Sequence, residues 1–162
     1  MKKILLIVGL LLLGACSNNE VKYDGTPLKI AVVGDIPELN NEKIHFEPIT
    51  LDEFSEGTLN FDAVMITPMM FEEASDDRFA QVYDNSKIPI IFLDSTKRHF
   101  PFTREGITYE TAHWESLNNG SHTTIYLPNN NANREDTWYF YLKDEKELDI
   151  LYKEIFQKIE TL

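Results

Sequence analysis

Asp35, Thr67 and Asp94 each stand at the end of a short apolar run: LKIAVVGD, FDAVMIT and IPIIFLD. If those runs are parallel strands, their carboxyl ends gather along one sheet edge, where open α/β sheets bind ligands. Two carboxylates there can hold a cation or divide acid and base roles. The same residue types also cap helices and order turns, so both readings stand. Ser95 and Ser121 lack the strand-turn-helix setting of an activated nucleophile. Gly34 is a lone glycine before Asp35, and no GxGxxG or GxxxxGK[ST] run exists to cradle a phosphate.

The four histidines are His45, His99, His113 and His122. None sits in an HExxH or CxxC-type spacing. His113, Glu115 and His122 can meet at a zinc only if their loop folds back, because no rigid i, i+4 spacing holds them. The plainer reading is surface or hydrogen-bonded histidine, and neither metal nor cofactor is expected. Lys97, Arg98 and His99 form the only basic cluster, read as a solvated loop in preference to a small anion site. Aromatic rings crowd the second half. Trp114, Trp138 and Tyr139 are candidates for a ligand-binding face, since amphipathic rings favour interfaces. Packing in the core or at a sheet edge is the alternative use of such rings.

The elements that must position these residues follow from periodicity. Residues 28–33, 61–67 and 88–93 read as buried strands. Residues 44–49 alternate apolar and polar, and Pro48 places that strand at an edge. Thr50 followed by Glu53 has capping-box spacing for a short helix that Gly57 stops. Helical stretches are expected over 69–74, after Pro68, and over 77–85. Residues 94–122 carry no clear helix, and a short strand is expected over 107–111. Residues 123–127 and 137–142 read as an antiparallel pair joined by an Asn-rich loop. In the second of these, Trp138, Phe140 and Leu142 share one face, and Thr137, Tyr139 and Tyr141 the other. A helix over 144–159 carries Leu148, Leu151, Tyr152, Ile155 and Ile159 on one stripe. The expected fold is therefore α/β and three-layered, with a mostly parallel sheet flanked by helices, an antiparallel hairpin near the C-terminus and a C-terminal helix. The strings KIAVVGD, FDAVMIT and IPIIFLD resemble strand segments of flavodoxin-like and periplasmic-binding-protein-like α/β domains. That resemblance implies the fold class and nothing about a ligand.

The chain opens MKKILLIVGLLLLGAC. Lys2 and Lys3 precede an apolar run over 4–13 that is interrupted by Gly9, and Gly14, Ala15 and Cys16 follow. The run is half the roughly 20 residues that a spanning helix requires, and it has the three-part plan of a secretory signal. Leu13-Gly14-Ala15-Cys16 resembles the lipobox of bacterial lipoproteins. The resemblance implies cleavage of residues 1–15, a diacylglyceryl group on Cys16, and residence at the outer face of a membrane. Two acyl chains on one residue satisfy the two-signal requirement for stable anchoring. Residues 16–26 are expected as a lipidated cysteine and polar tether, and 27–162 as a single domain.

Charge narrows the partners. The chain has 15 basic and 27 acidic side chains; without Lys2 and Lys3 the basic count falls to 13, for a net charge of −14. Such a domain repels nucleic acid, whose binding rests on Lys and Arg contacts to phosphate. The expected partners are the membrane, through Cys16, and a surface protein or a small-molecule ligand. Cys16 is the only cysteine, so no disulfide supports the fold and the core must do so alone. The sequence points to an extracytoplasmic, membrane-anchored binding or accessory domain rather than an enzyme. The alternative is a small hydrolase or metal-assisted enzyme that uses the strand-end carboxylates.

Overall fold

A computed structural model describes residues 21–57, 60–129 and 134–162. The signal-like segment and Cys16 lie outside the described residues, as does the middle of the Asn-rich loop. Six strands form one sheet in the order β2-β1-β3-β4-β5-β6. They are β1 (Leu28–Val33), β2 (Ile44–Pro48), β3 (Ala63–Ile66), β4 (Ile90–Phe92), β5 (Thr123–Asn129) and β6 (Arg134–Phe140). The pairings β1–β2, β1–β3 and β3–β4 are parallel, whereas β4–β5 and β5–β6 are antiparallel. The sheet is therefore mixed, and the parallel expectation holds for its first four strands only.

Burial explains the sequence patterns. Strands β1, β3 and β4 have neighbours on both sides and packing on both faces, so they read as continuous apolar runs. Strand β2 lies at the edge, where Pro48 ends it without breaking a ladder. Side chains alternate between two cores. Ile30, Val32, Met65, Ile91 and Ile125 pack on the helix α5 (Leu148–Glu160). Val33, Ile66, Ile90, Phe92 and Tyr126 pack on α1 (Leu51–Glu56), α2 (Phe71–Ala74), α3 (Asp77–Asp84) and α4 (Phe100–Thr103). The link from β1 to β2 lays Leu39 on the α5 side, while α1, α2 and α3 cross on the other. The chain travels outward in one direction from β1 and in the other from β3. Crossovers of one hand must then lie on opposite faces.

The helix starts follow local rules. The Glu53 main chain donates to Thr50 Oγ1 at 3.1 Å, and the Thr50 main chain donates to Glu53 Oε2 at 2.7 Å, closing the capping box. The Thr50 main chain, together with the Thr50 hydroxyl that donates to the same Oε2 at 2.9 Å, holds the Glu53 carboxyl below its usual range. Gly57, at φ 123°, ends α1 in a conformation that suits glycine. Asp76 caps α3 by accepting from the Arg78 main chain at 3.0 Å. The Tyr83 hydroxyl donates to the Ala74 carbonyl at 2.6 Å and ties α3 to α2.

Four expectations change. Residues 107–111 are a turn rather than a strand. Thr108 and Thr111 exchange side-chain and main-chain bonds of 3.0 and 3.2 Å, which satisfy the backbone locally. The stretch without a clear helix contains α4, started by Pro101, and a 3₁₀ turn at Glu115–Leu117. The C-terminal helix begins later than 144: Asp144 caps a 3₁₀ turn at Glu145–Glu147, and α5 follows. Its stripe also includes Phe156, which is fully buried. Finally, the packed region starts before residue 27. Tyr23 is buried edge-on to Phe156 with ring centroids 5.9 Å apart, and the Thr26 main chain and hydroxyl both donate to Glu160 Oε1 at 2.8 Å. No helix among the described residues is long and apolar enough to cross a membrane.

Candidate functional site

The parallel strands bring Asp35, Thr67 and Asp94 to one edge of the sheet, as strand direction requires. They do not converge there. Strand β3 lies between β1 and β4, so Asp35 and Asp94 leave strands separated by two spacings of about 4.8 Å each. The reversal in crossover direction falls between β1 and β3, and Thr67 fills it. Its hydroxyl accepts from the Asp35 main chain at 2.9 Å and donates to the Val33 carbonyl at 3.4 Å. Gly34, at φ 108°, makes the close approach possible: a Cβ there would lie 2.2 Å from Thr67 Oγ1. Thr67 is buried in this role, and the Asp35 side chain points to solvent.

Asp94 has the left-handed φ of 56°. Its carboxylate is exposed and stands 3.5 Å from His122 Nε2, where β5 begins beside the end of β4. The other ring nitrogen of His122 is 2.8 Å from Thr123 Oγ1, which orients the imidazole. The charge of Asp94 also reaches Tyr152, whose hydroxyl is pushed up to about 12 by burial first, then by Asp94 and Asp149. The edge thus has one carboxylate–imidazole pair. Among the described residues, no group of three or more histidine, cysteine or acidic side chains is arranged to hold a metal. Ser95 and Ser121 are buried; their hydroxyls donate to the Arg98 carbonyl at 2.8 Å and to Asn119 Oδ1 at 2.7 Å.

The basic cluster is not a solvated loop. Lys97 packs its ammonium over the Tyr109 ring at 4.5 Å and bonds the Tyr109 carbonyl. Arg98, at φ 59°, donates to the carbonyls of Leu117 and Ser116 at 2.8 and 2.9 Å. Its guanidinium lies over the rings of Phe100 at 4.4 Å and Tyr139 at 5.7 Å. His99 is 1% exposed and stacks on Phe100 and Tyr126, with Nε2 3.2 Å from Glu135 Oε1. Burial lowers its pKa, partly opposed by Glu135. Lys97 therefore braces the 94–122 segment internally, while Arg98 and His99 fasten it to β5 and β6. The placing of Phe100 and Phe102 directly after Arg98 and His99 was the available signal, because nearby rings can shelter a cation.

The aromatic candidates separate too. Trp138 is half-buried on the α5 side, with the Lys158 ammonium 5.1 Å from its ring. Tyr139 points to the opposite face of β6, under Arg98. Trp114 is 56% exposed just before the 3₁₀ turn that Arg98 anchors. The three rings do not line one groove. Large apolar residues not singled out from sequence are exposed as well. Ile36 is 46% exposed after β1, Met69 is 65% exposed after β3, and Tyr141 is 53% exposed after β6. Strand directions put Ile36, Met69 and Tyr141 at the edge that carries Asp35, Thr67 and Asp94, and Arg98, just after β4, ties the turn beside Trp114 to it. No family model matches the chain, and no curated protein or solved structure matches it.

Proposed function

We propose that this chain is a lipoprotein, anchored through Cys16 at the outer face of a membrane, whose three-layer α/β domain binds a ligand or a surface protein. The observation that carries the binding reading is the exposure of Ile36, Met69, Trp114 and Tyr141 at points along the strand-carboxyl edge. Open α/β sheets use that edge for recognition. Asp35, Asp94 and the net acidity add a negative field that disfavours nucleic acid.

Two experiments separate address from activity. Cells fed an alkyne fatty acid incorporate it into the wild-type chain and not into Cys16→Ser. Label in both, or in neither, removes the anchoring reading. For the edge, a photo-cross-linking residue is placed at 69 or 114 in the native cell, with position 162, another exposed apolar residue, as the control. Adducts confined to 69 and 114 support recognition there. Adducts equal at all three positions, or absent from all, reject it.

One observation favours a second reading as a small hydrolase, namely the Asp94–His122 pair at 3.5 Å. An orienting carboxylate beside an imidazole is the arrangement that general-base chemistry needs. That reading requires turnover of chromogenic esters or phosphoesters that Asp94→Asn reduces by roughly two orders of magnitude. It further requires that Trp114→Ala leave the rate nearly unchanged. The binding reading has the opposite sensitivities.

A further inference from the structure

A trough of about 660 Å³ runs between α1 and α3, remote from the strand-carboxyl edge. Its size lies within the range of small-molecule sites. One wall is a single face of α3, made by Arg78, Gln81, Val82 and Asn85 at intervals of three and four. Phe54 and Ile88 supply the apolar floor. The charge of the lining runs against that of the whole chain. Among the described residues the trough is lined by Arg78 and Lys87 and by no carboxylate; Lys87 also borders the neighbouring cleft that holds Asp62 and Glu160, and the cleft with Asp84 and Glu135 sets Arg104 and Arg134 beside them.

Several polar groups of the lining are already engaged. The Ser55 hydroxyl donates to Leu51, the Asn85 amide to Gln81, and the Ser86 hydroxyl to Ile88. Of the last carbonyls of α3, those of Gln81 and Tyr83 accept from the main chains of Asn85 and Ser86. Arg78 spends one nitrogen on Glu73 at 3.2 Å, an exposed pair whose attraction solvent largely screens. Among the described residues, the Gln81 carboxamide and the Lys87 ammonium have no partner. An apolar floor with uncommitted donors at its margin suits a ligand that is apolar in body and negative at the head.

We propose that this trough binds a small amphiphilic anion, with its apolar body on Phe54, Val82 and Ile88 and its carboxylate or phosphate held by Lys87, Arg78 and Gln81. The ligand is separate from whatever the strand-carboxyl edge recognises. Hexanoate and hexyl phosphate are the probes, with hexanol and hexylammonium as controls of equal body. The full chain, in phosphatidylcholine nanodiscs, is followed through the methyl signals of Val82 and Ile88.

The expected result is a saturable shift with one or both anions and weaker binding of the two controls. The ratio of hexanoate to hexyl phosphate affinity then identifies the head group. Lys87→Gln with Arg78→Gln weakens the anion roughly tenfold or more at an unchanged thermal midpoint. Gln81→Glu, which puts a carboxylate into the trough without touching either cation, weakens it as well. Three results overturn the proposal: no saturable shift with either anion at millimolar concentration, hexylammonium binding as tightly as the anions, or affinity unmoved by all of these substitutions.

Discussion

Residues 28–93 and residues 94–140 build adjoining parts of one sheet by different means. In the first region each element has a local cause. Apolar runs make the strands, and Thr50, Asp76 and Gly57 set helix boundaries within a few residues of themselves. In the second region the fastening is long-range. His99 meets Glu135, Arg98 reaches Leu117 and Tyr139, and Phe102 stacks on Phe92 at 4.1 Å with ring planes 10° apart. Local order needs little loop closure, whereas each distant contact must offset the entropy of closing its loop. The comparison teaches that the second region depends on a few buried side chains, and the first on many distributed ones.

The largest effect expected is at Phe102. Phe102→Ala removes a buried ring packed against Phe71, Phe92 and Tyr109, and costs about 3–5 kcal/mol in urea unfolding. Hydrogen exchange should then accelerate across 94–122 before it does in β1 and β3. Equal acceleration in both regions would break the comparison. Gly34→Ala tests the first region where it is least forgiving. A methyl at φ 108° and 2.2 Å from Thr67 Oγ1 costs about 1–3 kcal/mol. Thr67→Ala relieves the closest clash but also removes the hydroxyl that accepts from the Asp35 main chain, so the cost of Gly34→Ala is measured again in the Thr67→Ala background, where it falls without vanishing. A cost of zero in that background shows that the strain assigned to φ is absent.

Thr50→Ala opens the capping box and costs about 1 kcal/mol, read as a fall in the urea midpoint without a change in slope. The smallest effect is the most specific to the second region. Burial depresses the folded-state pKa of His99 below its unfolded value of about 6.5, so the unfolded chain binds the extra proton more readily. His99 thus supports folding above that unfolded value, and the support is lost as pH falls through the folded one. Between pH 7.5 and 5, wild-type stability should decline more steeply than that of His99→Gln. Parallel declines would remove His99 from the account. The shifts at Glu53 and Glu160 contribute to the pH dependence near and below pH 4.5, under the histidine window.

Much of the architecture was legible in sequence because its causes are short-range. The runs at 28–33, 61–67 and 88–93 became central strands, Pro48 marked an edge strand, and the capping box at Thr50 closed as its spacing requires. The hairpin and the α5 stripe were readable from periods of two and about 3.6. The site was less legible. Strand direction placed Asp35, Thr67 and Asp94 on one edge, but strand order put β3 between the two carboxylates and made Thr67 a buried clasp. Trp138 and Tyr139 are neighbours in sequence, and the pleat sends them to opposite faces.

The sequence by itself determined the central strands, the capped start of α1, the hairpin and the stripe of α5, and that this is an acidic α/β chain. Those properties depend on residues within about one helical turn of each other or on simple composition. Only the tertiary structure decided that Tyr23 belongs to the core, that His99 is buried against Glu135, that Thr108 and Thr111 make a turn, and that Ile36, Met69, Trp114 and Tyr141 share an edge. Each of these but the Thr108–Thr111 turn pairs groups far apart in the chain. Such pairs are set by which surfaces must leave water together, a property of the whole packed chain that no local window contains.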